Sequence, residues 1–150
     1  MSSLPQRKKM RLMGYDYSSK GAYFITICTK DRRKILSSIV GHDAHIVPKI
    51  ILTRTGKTVQ YYLDRIDDID CYVIMPNHIH LIIIKNECSR TDITKDIRSL
   101  KTMVTKQIGY SIWQTGYYDH IIRDEQDYLI KRQYIEENVI KWWDDEYYNG

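Results

Sequence analysis

The chain has 150 residues and carries 23 Lys and Arg against 19 Asp and Glu, a formal charge of +4. That length suits one domain with a real core, and the excess of positive charge favours a polyanionic partner. The longest apolar run is far shorter than a membrane span, so no membrane association is expected. The three cysteines, Cys28, Cys71 and Cys88, are too widely spaced for a zinc motif or a disulfide framework, and their free thiols suit the reducing cytoplasm. Thirteen tyrosines stand beside a single phenylalanine, a bias that fits a nucleic-acid surface and fits an AT-rich coding sequence equally well.

In chain order, residues 1–13 read as a flexible basic arm without the apolar centre of a signal peptide. Tyr15 and Tyr17 lie in the turn-rich stretch that follows, candidates for base stacking. Ala22 to Thr29 is dense in β-formers and reads as the first strand. Residues 35–48 read as an irregular connection, with His42 and His45 as exposed loop histidines. From about Ile50 to Ile66 the apolar residues recur at helical spacing. Ile69 to Met75 is a second strand, Pro76-Asn77 a turn, and His78 to Lys85 a third strand antiparallel to the second.

A helix capped by Thr91 or Asp92 runs to Gly109, with Ile93, Ile97, Leu100, Val104 and Ile108 on its apolar stripe. Arg98, Lys101 and Lys106 lie on its other faces and are candidates for phosphate contact. Tyr117 to Arg123 is a fourth strand, Asp124 caps a last helix running to about Trp143, and residues 144–150 form an acidic, aromatic tail. The order β-α-β-β-α-β plus one helix is the split βαβ, ferredoxin-like plan of an α+β domain, with the third strand central beside the first. Two helices then cover one sheet face and leave the other for a ligand or the last helix.

Side chains alternate along a strand, so His78 and His80 share a face. A His-x-His pair alone is common by chance, but a strand this apolar places two costly polar groups in its interior. On the last helix Tyr134 and Asn138 are four residues apart and therefore stacked on one side. Two imidazoles and an amide oxygen, with positions left for phosphate oxygens, suit Mg²⁺ or Mn²⁺, and imidazole ligation favours Mn²⁺. Tyr134 could then be a nucleophile toward a phosphodiester, or simply one more packing tyrosine.

Several stretches together resemble the single-tyrosine HUH transposases, most closely the REP-associated tyrosine transposases. They are Gly14-Tyr15-Asp16-Tyr17 with Gly21 to Thr29, Met75-Pro76-Asn77-His78-Ile79-His80-Leu81, Trp113-Gln114 with Tyr118 to Arg123, and Tyr134-Ile135-Glu136-Glu137-Asn138. One departure is Val139, where REP-associated members usually carry proline after the asparagine. The resemblance implies a ferredoxin-like fold whose last helix carries the catalytic tyrosine. It implies that His78, His80 and Asn138 hold a divalent cation and that Tyr134 attacks single-stranded DNA, often beside a hairpin. A 5′-phosphotyrosine link and a free 3′-hydroxyl would result, and the 3′-hydroxyl could later reverse the step and join strands. His120 matches a recurrent family position near the site, without an assigned role. Tyr128 is the rival nucleophile, and either a monomer or a homodimer fits. The competing reading is a nucleic-acid-binding ferredoxin-like module without chemistry, using sheet aromatics.

Overall fold

The computed structural model describes residues 20–41 and 47–142. Its centre is a four-stranded antiparallel sheet. The strands are β1 (Gly21–Cys28), β4 (Ile69–Ile74), β5 (His78–Lys85) and β6 (Tyr118–Ile122), in the order β4-β5-β1-β6. This is the expected split βαβ sheet, with β5 and β1 central. Ile79, Leu81, Ile82 and Ile83 of β5 are fully buried, as a strand covered on both faces requires.

Helices α1 (Arg54–Leu63) and α2 (Ile93–Ile108) cover one face. There Tyr23, Ile25, Ile27, Ile79, Leu81 and Ile83 pack against Val59, Leu63, Ile97, Leu100 and Val104. Helix α2 starts where the Asp92 carboxylate accepts the Lys95 backbone N–H, and it stops at Gly109, whose φ of 102° is left-handed. Helix α3 (Glu125–Glu137) lies on the opposite face, where Phe24, Cys28, Val73, Met75, Ile82 and Tyr118 meet Ile135 and Trp142.

The connection before α1 is not irregular. Ser37–Val40 (β2) pairs antiparallel with Lys49–Leu52 (β3) in a small separate sheet. The helix expected from about Ile50 therefore starts at Arg54, after Thr53, whose hydroxyl accepts the Gly56 N–H. Lys49–Leu52 alternates exposed and half-buried residues, the strand period, over a stretch too short to stand out from the helical pattern that follows. His42 and His45 lie outside the described residues.

Gly56 shows how tightly α1 sits on this hairpin. A Cβ at Gly56 would stand 1.9 Å from the Leu36 carbonyl oxygen, a backbone atom that cannot turn aside. Gly56→Ala, which gains about 1 kcal/mol of helix propensity, is expected to be destabilising by about 1–3 kcal/mol through overpacking. Urea denaturation measures the sign.

A buried ion triad closes the far end of β5. Lys85, 3% exposed, donates to Asp68 at 2.7 Å and to Asp96 at 2.6 Å, and Thr91 donates to the second oxygen of Asp96. Burial alone would lower the Lys85 pKa, but the hydrogen bonds and charges of Asp68 and Asp96 outweigh it and hold the ammonium form. Lys85→Ala would strand two carboxylates, one of them buried, and is expected to cost about 3–5 kcal/mol in chemical denaturation.

Candidate active site

The site is built on the β1–β5 ladder. Cys28 pairs with His78 and Thr26 with His80, so both imidazoles project onto the α3 face. Both histidines are fully buried, with ring centroids 4.5 Å apart and an interplanar angle of 68°.

Neighbouring polar groups orient each ring. His78 Nδ1 lies 2.8 Å from Asn77 Oδ1, while Asn77 Nδ2 donates to the Arg32 carbonyl at 3.3 Å. The second bond fixes the amide's orientation, so its oxygen must face His78 and accept from Nδ1–H. That tautomer puts the ring's lone pair on Nε2. His80 Nδ1 lies 2.8 Å from the Thr26 hydroxyl. A hydrogen bond to one ring nitrogen that presents the other to a metal is the usual setting of a ligand histidine. Phe24 stacks on His80 at 5.3 Å and 23°, and Trp142 lies against His78 at 6.2 Å.

This enclosure keeps both rings neutral. Burial pushes the His78 pKa down to about 3, Asn138 pulls it back up, and the Arg32 charge lowers it. Burial, reinforced by His78, holds His80 well below the usual histidine value. Neutral imidazole is the form that binds metals.

Helix α3 brings the remaining residues. Asp124 caps it by accepting from the Asp127 N–H at 2.8 Å. The helix is then clamped from both sheet edges. From β6, His120 Nε2 meets Asp127 at 2.8 Å, and the buried Lys131 ammonium meets the same carboxylate at 3.0 Å. Burial would raise the Asp127 pKa, but His120 and Lys131 override it and bring it down to about 2. From β4, Asp70 accepts from the Tyr128 hydroxyl at 2.6 Å and from Arg132 at 3.0 Å.

Past these clamps, Tyr134 sits half-buried with its ring centroid 5.1 Å from His80 and edge-on to Phe24 at 6.0 Å. The helix ends at Glu137, well short of the expected Trp143. Asn138 is its C-cap residue, but it keeps helical angles (φ −60°, ψ −38°) and so stays on the Tyr134 side. Its side chain is buried against His78, and its Oδ1 makes no well-formed hydrogen bond.

His78, His80, Tyr134 and Asn138 are thus brought together, three from a ribbon and a helix of the same chain and the fourth at that helix's end. His120 lies on the same sheet face, engaged with Asp127. Tyr128 is tied to Asp70 at the sheet edge. The candidate phosphate contacts are not gathered here, because α2 covers the opposite face. Arg98 and Lys106 are exposed on it, and Lys101 donates to the Gln114 and Gly116 carbonyls at 2.9 and 2.6 Å, which pins the loop before β6. Tyr15 and Tyr17 fall outside the described residues. The ring-orienting partners Thr26 and Asn77 and the stacking residues Phe24 and Trp142 escaped the sequence reading, because only strand register and the turn after α3 reveal them.

The donor set tests well against a metal. Among the described residues no group of three His, Cys, Asp or Glu side chains is placed to hold one. The set here is two neutral imidazoles and an amide, whose buried Oδ1 would be satisfied by a cation.

No family model matches the chain. An uncharacterised protein of Haemophilus influenzae is 32% identical over 178 residues, spanning 98% of this chain and 96% of that protein, so the two belong to one family. A REP-associated tyrosine transposase of Escherichia coli K12 is 28% identical over 127 residues, spanning 83% of this chain and 70% of that protein. The chain is similar in sequence to the REP-associated tyrosine transposases. The structure of a REP-associated tyrosine transposase bound to a REP hairpin superposes with a TM-score of 0.68 at 24% identity, covering 89% of this chain and 74% of that one. That likeness establishes the shared fold. Sequence relatives named as transposases support a transposase function. Among the described residues no helix is long and apolar enough to cross a membrane.

Proposed function

We propose that the chain is a single-tyrosine HUH transposase that cleaves and rejoins single-stranded DNA, with Tyr134 as nucleophile and His78, His80 and Asn138 as holders of a divalent cation. The observation that carries this reading is the placement of the Tyr134 ring beside His80, with Asn138 buried against His78. A bound Mn²⁺ or Mg²⁺ would neutralise phosphate charge and favour the phenolate over the neutral phenol, whose ordinary pKa is about 10.

The chain's own residues supply the rest. Thr26 and Asn77 aim the imidazoles, and Phe24 flanks both His80 and Tyr134. Trp142 and Ile135 exclude water behind the site. The Tyr134 oxygen attacks phosphorus, the P–O3′ bond breaks, and the departing 3′-oxygen takes up a proton as the phenol loses its own. The phosphodiester bond energy is conserved in the 5′-phosphotyrosine, so a 3′-hydroxyl can reverse the reaction without a nucleotide cofactor. The hairpin bound by the structural relative makes hairpin-flanked single strands the natural substrate to try.

A module that only binds nucleic acid through open-sheet aromatics fits less well, because helices cover both faces of this sheet. The test is an SDS-resistant protein–DNA adduct formed on hairpin-flanked single-stranded oligonucleotides with Mn²⁺. Tight binding without any adduct would favour the binding module.

A further inference from the structure

Two open clefts flank the loop before β6. One, of about 580 Å³, is lined by Lys30, Asp31, Arg32, Trp113, Gln114 and Thr115. The other, of about 430 Å³, shares Trp113, Gln114 and Thr115 and reaches Thr102, Thr105 and Lys106 on the last turns of α2. Both volumes fall within the roughly 300–1,000 Å³ of ligand-binding clefts. Among the charged lining residues, Lys30, Arg32, Lys101 and Lys106 stand against Asp31 alone. Hydroxyls at Thr102, Thr105, Ser111 and Thr115 add donors of the kind that meet phosphate oxygens.

The surface is built rather than incidental. Thr29 bridges to Trp113, Lys30 N–H donates to Ile112, and Gln114 N–H donates to Cys28, so the loop extends the sheet beyond β1. Lys101 spends its ammonium on the Gln114 and Gly116 carbonyls, fixing the loop between the clefts. Trp113 is 5% exposed, and its buried indole N–H makes no hydrogen bond. Asp31 and Arg32 hold left-handed angles (φ 57° and 54°), which are costly for residues with a Cβ. They are the non-glycine residues of positive φ among the described ones.

The clefts also connect to the candidate active site. The Arg32 carbonyl holds Asn77, Asn77 holds His78, and the Arg32 charge acts on that ring. Cys28, the acceptor for Gln114, is the strand partner of His78.

We propose that the two clefts form one phosphate track, along which the single strand adjoining the scissile phosphate runs across the 111–116 loop, contacted by Arg32, Lys30 and then Lys106. The inference rests on reading the histidine face as a single-stranded DNA site, and it extends that site to the rim of the opposite face. It gives Lys106 a place in recognition and gives Lys101 the task of holding the loop.

The test uses the full chain carrying Tyr134→Phe, with fluorescent oligothymidylates from about 4 to about 16 nucleotides. Lys30→Gln with Lys106→Gln is expected to weaken binding of the longer oligonucleotides about tenfold at low salt. Losing two phosphate contacts should make the slope of log K against log salt shallower by roughly 1.4. The shortest oligonucleotides should bind as before, and thermal melting should be unchanged, since both lysines are exposed. Unchanged affinity and slope at every length would overturn the track, as would an equal loss on short oligonucleotides or on duplex DNA. The adduct test is read separately on the wild-type chain. If the adduct forms but the lysine variants bind normally, only the track fails. If no adduct forms but the length-dependent loss appears, the track stands and the chemistry fails.

Discussion

Tyr134→Phe is expected to abolish the covalent DNA adduct, lowering its rate of formation by at least about 10³-fold while leaving the fold intact. The substitution removes one oxygen from a half-buried ring and keeps the edge contacts to Phe24 and His80. Stability should change by less than about 1 kcal/mol. Oligonucleotide binding should persist, because phosphate contacts rather than the phenol carry affinity. Tyr128→Phe is the matched control. Its hydroxyl bonds Asp70 and Arg132 at the sheet edge. Adduct formation should survive that change, slowed if α3 rides more loosely on the sheet. Adduct retained in Tyr134→Phe and lost in Tyr128→Phe would reverse the assignment.

The second large effect concerns the buried histidines. In the folded chain His78 titrates at about 3, whereas an unfolded histidine titrates near 6.5. A depressed folded pKa means the unfolded state takes up protons first as the pH falls. The metal-free protein should therefore be most stable above pH ~6.5 and lose stability steadily toward pH ~3, by on the order of 4 kcal/mol from His78 alone. His80, also held low, adds in the same direction. Mn²⁺ should act the opposite way at neutral pH. At a hundred times its dissociation constant a ligand of the native state adds about 2.7 kcal/mol. His80→Ala and Asn138→Ala should remove most of that gain in thermal melts. A Mn²⁺ stabilisation unaffected by either substitution would place the cation elsewhere.

Much of this was visible in the sequence, for reasons that can be traced. His78 to Lys85 combines strand alternation with an apolar character that only a central strand has, so the shared face of His78 and His80 followed from period two alone. The order of strands and helices left one sheet face for a ligand or the last helix, and α3 takes it. Caps at Thr91 or Asp92, at Gly109 and at Asp124 were visible because capping chemistry is local, and of the first two it is Asp92 that caps α2.

What was not visible depends on long-range register. Thr26 meets His80 only because β1 and β5 pair as they do, and nothing in Ala22 to Thr29 marks that threonine. Lys101 looked like a surface cation because its acceptors, the Gln114 and Gly116 carbonyls, become neighbours only in the fold. Lys131, buried against Asp127, was hidden by the weak amphipathicity of α3, whose polar clamps replace an apolar stripe. The β2–β3 hairpin was missed because four-residue strands give too few repeats to separate period two from a helical start.

The most direct measurement is a crystal structure of the protein soaked with Mn²⁺, with anomalous data collected at the manganese edge. A single strong peak within bonding distance of His78 Nε2, His80 Nε2 and Asn138 Oδ1, on the side facing Tyr134, is the expected result. Manganese bound only at surface carboxylates, with the two rings and the amide packed against one another and no peak between them, would contradict it.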